Sequence, residues 1–376
     1  MKMQIDRRHV QNFDWLLLGL VLLASLIGVI TIFSATRPLT GSAHHSSFYI
    51  KQLAWMFIGL IAMGAVVKID YRQFGRAAGI FYAIGILLLV FVLGMGKMGL
   101  GAQRWISIGG ISFQPSEVFR LAYIIMLARY LSFLKPPIGV RDFLKMLPLL
   151  ALLPFGLLVK QPDLGTATTM GMVFLFLCIA RGMSKKLITA LLIFGLVSGP
   201  FLFDIIWHGF LKGYQRDRIV AFMDPQADPA GIGYNITQSK IAIGSGMVLG
   251  KGYMKGTQGP LRFLPENHTD FIFSGFAEEW GFAGCLVLLA IYLAFLLRAL
   301  DTARHAKDDF GALLALGLTF MFAFYIFFNI GMAMGMLPVV GIPLPFMSYG
   351  GTAVFSNYIA VGLLINIRLR RFELFY

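Results

Sequence analysis

The chain is short of charge, of histidine and of cysteine, and each shortage narrows what it can be. Asp, Glu, Lys and Arg make up 13% of its 376 residues, against 58% hydrophobic. That balance is far below the roughly 25% charge of an ordinary soluble domain. Two cysteines, Cys178 and Cys285, both lie inside apolar runs, where they behave as small hydrophobes and offer no disulfide framework. Six scattered histidines form neither H-E-x-x-H nor any Cys/His ligand spacing, which argues against soft-metal catalysis. No G-x-x-x-x-G-K-[ST] phosphate loop occurs. No G-x-S-x-G stands before a helix in the context of a hydrolase elbow, and Gly244-Ser245-Gly246 is not one. The first apolar run, about 15–33, is too long for a signal-peptide core and lacks a small-x-small cleavage site. It reads as a retained span, and nothing suggests secretion.

What the chain has is length of apolar sequence. Runs of about 20 residues, enough to cross a bilayer core, recur near 15–34, 53–67, 77–95, 117–134, 146–159, 166–180, 187–207, 271–298, 310–336 and 353–367. The expected fold is all-α and polytopic: about ten transmembrane helices in one integral-membrane unit over 1–376. A long external loop of about 208–270 separates spans seven and eight.

A net charge of +14 raises nucleic-acid binding, so the placement of the charges has to decide. With the N-terminus inside, nineteen Lys and Arg fall on the cytoplasmic side, and the four short external loops hold five: Arg37, Lys51, Lys97, Arg104 and Lys160. The positive-inside rule then places both termini in the cytoplasm. The basic excess is mostly topology, and no nucleic-acid partner is expected. The exception is the long loop, with Lys212, Arg216, Arg218, Lys240, Lys251, Lys255 and Arg262. Positive charge on a translocated segment asks for another use.

Three polar segments stand at the mouths of spans. The first runs from Gly99-Leu100-Gly101-Ala102-Gln103-Arg104-Trp105-Ile106 through Gly109-Gly110 to Phe113-Gln114-Pro115-Ser116-Glu117. Its Gly and Pro mark turns, Ser116 is placed to cap the fourth span, and Trp105 suits either an interfacial belt or a site. Arg120, three residues after Glu117, shares its helical face, so the two can pair. Such a pair in a membrane is costly enough to suggest function, with a structural staple as the alternative. The second segment, Lys160-Gln161-Pro162-Asp163-Leu164-Gly165-Thr166, again sets Gln-Pro and an acid at a span start. The third is the long loop. It holds Tyr214-Gln215-Arg216-Asp217-Arg218, turns at Asp224-Pro225 and Asp228-Pro229, a short helix predicted over 236–243 that suits the membrane surface, and a glycine-studded stretch over 244–259 able to approach a ligand closely. It closes on Phe263-Leu264-Pro265-Glu266-Asn267-His268-Thr269-Asp270. Between the last two spans, the Pro- and Gly-rich stretch ending in Ser348-Tyr349-Gly350-Gly351 is expected to border the same external cavity.

An external cavity ringed by Arg, Lys and a few carboxylates beside lipid suits glycosyl transfer from a polyprenyl diphosphate sugar. A base takes the acceptor hydroxyl's proton while cations stabilise the departing diphosphate. Asp270 is the candidate base. Its position equally suits Thr269 and Asp270 as caps of the eighth span, and a helix N-terminus would weaken the base. A divalent cation, Mg or Mn, bridging diphosphate to a carboxylate is compatible with the composition. Glu278 and Glu279, two to three turns into that span, suit a proton relay or structural bonds to neighbouring helices.

These segments together, with Gln238-Ser239-Lys240-Ile241-Ala242-Ile243-Gly244-Ser245-Gly246, resemble the SEDS family of bacterial cell-wall polymerases over nearly the whole chain. Gly256-Thr257-Gln258 resembles the RodA-like elongation branch more than the FtsW-type division branch. The resemblance implies a peptidoglycan glycosyltransferase of the bacterial cytoplasmic (inner) membrane that polymerises lipid II on its outer face, releasing undecaprenyl diphosphate. It implies a class B penicillin-binding protein of the PBP2 transpeptidase type as partner, within a wall-elongation complex. Asp270 matches the family's catalytic Asp, Trp105 a motif position important for activity, and Glu117 with Arg120 an acid and base pair whose basic member is commonly Lys. Arg104, Asp163, Arg216, Lys240 and Ser348 lie in matching motifs and are expected to bind substrate. Two rivals follow from the same residues: a flippase for lipid-linked precursor, drawing on the intramembrane charges, and a non-catalytic scaffold for other wall enzymes.

Overall fold

The computed structural model describes residues 13–37, 47–99, 102–108, 111–210, 213–224, 231–261 and 263–371. Leu100, Gly101, Gly109, Gly110, Lys212, Pro225, Asp228, Pro229 and Arg262, on which the sequence-based expectations draw, lie outside the described residues.

Lipid offers the backbone no hydrogen bonds, so an apolar span must satisfy its own peptide groups as a helix. Helices stand at each predicted span: α1 (Trp15–Ala35), α2 (Phe48–Lys68), α4 (Ala78–Met95) after the short α3 (Tyr71–Arg76), α5 (Pro115–Phe133), α6 (Val140–Leu147) continuing through a π-helical turn into α7 (Leu153–Lys160), α8 (Leu164–Gly182), α9 (Lys185–Ile205), α12 (Ile272–Arg304), α13 (Asp309–Ala333) and α14 (Gly351–Leu369). Among the described residues, seven of these segments are long and apolar enough by themselves to cross a membrane. The helix α5 is not one of them, since Glu117, Arg120 and Arg129 interrupt its apolar run. The protein is a multi-pass helical membrane protein.

Burial sorts the helices into centre and rim. Val361, Leu364 and Ile365 of α14 are 0% exposed, whereas Leu192, Leu196 and Phe201 of α9 are 69%, 82% and 73% exposed. Such apolar exposure suits lipid, not water. At the centre α14 lies along α2, while α13 packs on α5, α8 and α12. At the end of the bundle away from the cavity, buried Asp14 accepts from Arg298 at 3.0 Å and pairs with Arg368 at 3.1 Å, which ties α1, α12 and α14 together. Both cysteines are free and buried.

The polar segment before α5 is not merely a run of turns. It forms a small antiparallel sheet, β1 (Lys97–Gly99), β2 (Ala102–Ile108) and β3 (Ile111–Phe113), with Trp105 opposite Lys97 and Ile106 opposite Phe113. The outer strands β1 and β3, of three residues each, leave too short an alternation to be read from sequence. Ser116 does not cap α5 either. Pro115 occupies the first turn and moves the start of the helix back to Gln114, which frees the Ser116 hydroxyl for another partner.

The long loop carries two helices, α10 (Gly213–Met223) and α11 (Ile232–Ser245). The latter extends the predicted 236–243 in both directions. It turns Ile236, Ser239 and Ala242 inward, and Ser239 Oγ lies 2.6 Å from Ser274 Oγ of α12 and donates to Ala333 O of α13 at 2.5 Å.

Candidate active site

A cavity of about 740 Å³ opens where the loops before α5, α8, α12 and α14 meet. Its wall carries the cations Lys51, Arg104 and Arg218, the carboxylates Glu117, Asp163, Glu266 and Asp270, and the rings of Trp55, Trp105, His268, Tyr325 and Tyr349. The stretch before α14 contributes Gly341, Ile342 and Pro343, so it borders the cavity as its sequence suggested.

Asp270 sits at the mouth of α12 without capping it. The cap position is Phe271, which makes no side-chain cap bond, and Thr269 Oγ1 donates to Glu266 Oε2 at 2.9 Å. The carboxylate is left for the cavity. The surrounding backbone is fixed: Asn329 Nδ2 donates to Asp270 O at 3.0 Å and to Ile342 O at 2.8 Å, and Tyr349 N donates to His268 O at 2.8 Å. Burial pushes the Asp270 carboxyl up to about 6, with Arg218 and Arg104 pulling it down and Glu266 pushing it further up. A basicity near neutral is what a general base needs. The weakening anticipated from the helix N-terminus is therefore outweighed by desolvation. His268 is stacked on Phe48 with ring centroids 4.5 Å apart, and burial lowers its basicity against the opposing pull of Glu266.

The two Gln-Pro segments meet at Asp163. Its carboxylate accepts from Ser116 Oγ at 2.8 Å, Gln114 Nε2 at 3.2 Å and Thr166 Oγ1 at 3.1 Å, and it caps α8 through Thr166 N. Arg104 bonds the carbonyls of Gln161 and Pro162 and lies 3.9 Å from Asp163, so β2 is fastened to the start of α8. Trp105 faces the same cavity and is half-buried.

One helical turn into α5, Glu117 and Arg120 form the predicted pair at 2.9 Å, 4% and 1% exposed. Arg120 also donates to Ser356 Oγ at 2.8 Å and Asn357 Oδ1 at 2.6 Å of α14, and lies over the Tyr325 ring at 4.7 Å. Glu117 and Tyr325 line the cavity floor.

The glycine-rich stretch does not approach the cavity. Gly281, with φ 63°, breaks α12, and residues 246–252 dock into the break. Lys251 N and Gly252 N donate to the carbonyls of Glu278 and Glu279, each at 3.0 Å, while Phe282 N and Ala283 N donate to Met247 O and Val248 O at 2.8 and 2.9 Å. The glycines serve this close backbone contact. Glu278 accepts from Lys251 Nζ at 2.6 Å and Thr257 N at 2.9 Å, and Glu279 accepts from Ser34 Oγ. Glu279 thus bonds a neighbouring helix, α1, as one of the two roles weighed for these acids has it, whereas the partners of Glu278 lie in the loop and not on a helix.

Of the other expected substrate-binding residues, Arg216 lies off the cavity wall, donating to His208 O at 3.1 Å. Lys240 packs its chain over Gly335 at the turn after α13. Ser348 is buried behind the wall, where it holds the Asp270 loop. Conversely, Arg218, Glu266, Lys51, Trp55 and Tyr325 line the wall without having been singled out. For the arginines of α10 the sequence held half a signal. Arg216 and Arg218 are two apart, about 200° around a helix, so only one can face the cavity. Among the described residues no group of three His, Cys, Asp or Glu is placed to hold a metal ion.

The model of the FtsW/RodA/SpoVE cell cycle protein family matches residues 14–372. The peptidoglycan glycosyltransferase MrdB of Escherichia coli K12 is 39% identical over 352 residues, 94% of this chain and 92% of that one. The peptidoglycan glycosyltransferase RodA of Treponema pallidum is 34% identical over 97% of this chain and 99% of its own. In a solved structure described as the structural coordination of polymerization and crosslinking by a peptidoglycan synthase complex, one chain is 28% identical, with a TM-score of 0.80 and coverage of 96% and 99%. The crystal structure of the rod shape determining protein RodA of Thermus thermophilus is 27% identical, with a TM-score of 0.70 and coverage of 96% and 98%. With the whole helical bundle matched and its span-mouth motifs gathered around one cavity, the chain belongs to the FtsW/RodA/SpoVE family.

Proposed function

We propose that the protein is a peptidoglycan glycosyltransferase of the RodA type, polymerising lipid II into glycan strands on the outer face of the bacterial cytoplasmic membrane for elongation and cell shape. The observation that carries this is a carboxylate at Asp270, with its affinity for protons tuned to about 6, facing a cavity whose wall also holds three cations. Names of relatives support the activity. The chain is one integral-membrane domain over 1–376 with ten spans, both termini cytoplasmic and the cavity outside.

Asp270 takes the proton of the acceptor sugar's C4 hydroxyl as that oxygen attacks C1 of the lipid-linked strand. The C1–O bond to diphosphate breaks, the anomeric centre inverts, and undecaprenyl diphosphate leaves with the electron pair. Cations at the wall, Lys51 and Arg104 among them, stabilise its charge. Trp105 and Glu117, the latter held by Arg120 behind it, shape the sugar site, Asp163 sets the two segments that carry them, and Ser348 sets the Asp270 loop. The partner is a class B penicillin-binding protein, a reading supported by the related synthase complex, in which polymerization and crosslinking are coordinated. Glycan polymerisation from lipid II by the purified protein with that partner, native against Asp270→Asn, is the test. Activity lost with assembly intact supports the enzyme. Undiminished activity removes Asp270 as base.

A further inference from the structure

Asp270 and Arg218 reach the cavity from different elements, one from the loop before α12 and one from α10. They converge on Gly341, whose φ of 74° few residues with a side chain adopt. A Cβ built there stands 3.4 Å from Asp270 Oδ2 and 3.9 Å from Arg218 Nη1. Carboxylate and guanidinium thus flank one point of backbone from which no side chain grows. Other charged and titratable groups around them are Glu266 and His268 in the same loop, Arg104 of β2, Lys51 of α2, Glu117 of α5, Asp163 before α8, and Tyr325 and Tyr349.

We propose that Arg218 is a positioning residue: it orients Asp270 across Gly341 and holds it as the ionised carboxylate that acts as base. This rests on the assignment of Asp270 as base and names the group that keeps it usable. Burial drives Asp270 toward the neutral acid, and among the neighbouring charges Arg218 opposes this most, ahead of Arg104, while Glu266 works against both. A nearby opposite charge favours the ionised form of a carboxyl, against its desolvation.

The test is an infrared titration of the purified full-length protein. It follows the carbonyl stretch of protonated Asp270, identified by its absence in Asp270→Asn. The native midpoint is expected at about 6. Arg218→Gln should raise it by about 1 unit or more, and Arg218→Lys should restore most of the difference. Glu266→Gln should lower it. The acid limb of lipid II polymerisation should move with each midpoint. Where Arg218→Gln does not fold, Arg218→Met, of similar volume, replaces it. A midpoint unmoved by loss of the Arg218 charge, with polymerisation reduced equally at every pH, would overturn the proposal and make Arg218 a contact to diphosphate or a structural group. Infrared shifts as expected in a protein that never polymerises lipid II would instead remove the glycosyltransferase assignment and leave the coupling of the two residues standing.

Discussion

The Ser348 hydroxyl donates to the Thr269 carbonyl at 2.7 Å while accepting from the Leu344 amide at 2.8 Å. The turn before α14 is thereby tied to the loop before α12 one residue from Asp270. Gln52 Nε2 of α2 joins the same tie, donating to Ser348 O at 3.1 Å.

We predict that Ser348→Ala lowers polymerisation more than it lowers stability. A buried amide loses its acceptor, at a cost of about 1–3 kcal/mol, but the loop that carries Asp270 loses its anchor as well. Thermal unfolding in detergent alongside activity at matched folded protein separates the two. Equal activity per folded molecule would show that Ser348 does not position Asp270.

Asp270→Asn is predicted to stabilise the protein at pH 8 while removing activity. The carboxyl binds its proton more tightly folded than unfolded, so its contribution favours folding at low pH and is lost as pH rises through about 6. The advantage of Asn should shrink as pH falls below that value. Melting temperatures of both proteins from pH 5 to 8 check it, and a gap that is constant across the range would contradict the buried environment.

Arg120→Met is predicted to cost about 3–5 kcal/mol, because Glu117 is left buried without its partner. The double change Glu117→Gln with Arg120→Met should recover much of that loss in denaturation experiments. Additive losses in the double variant would show that the two residues do not act as a pair.

Gly281→Ala is predicted to prevent accumulation of folded protein. A methyl there lies 2.3 Å from Gly250 N and 2.7 Å from Val248 O, both backbone atoms. The positive φ adds about 1 kcal/mol or more. Gly244→Ala, whose methyl meets nothing within 4 Å, is the matched control. Equal yields of the two would mean that the loop does not pack into the break.

The helices were legible because lipid makes hydropathy and helix nearly the same property, and the segments at the span mouths were legible because polar residues there have few other reasons to exist. What escaped was set by tertiary contact. Pro115 displaced Ser116 from the cap, and Asp163 then claimed its hydroxyl. Nothing in the apolar run around Gly281 announces a break, so the glycines at 246, 250 and 252 looked like a ligand loop when their partner was a helix. On α10 the sequence could not say which of Arg216 and Arg218 turns inward.

The break in α12 also bears on how the molecule is put together. Its bent form leaves two carbonyls and two amides to be bonded by residues 246–252. In hydrocarbon each such group left unbonded costs several kcal/mol, so before the loop arrives the favoured form of α12 is an unbroken rod. Insertion of this span and acquisition of its final shape are then separate events. The second waits on a segment that precedes it in the chain and folds back to finish it.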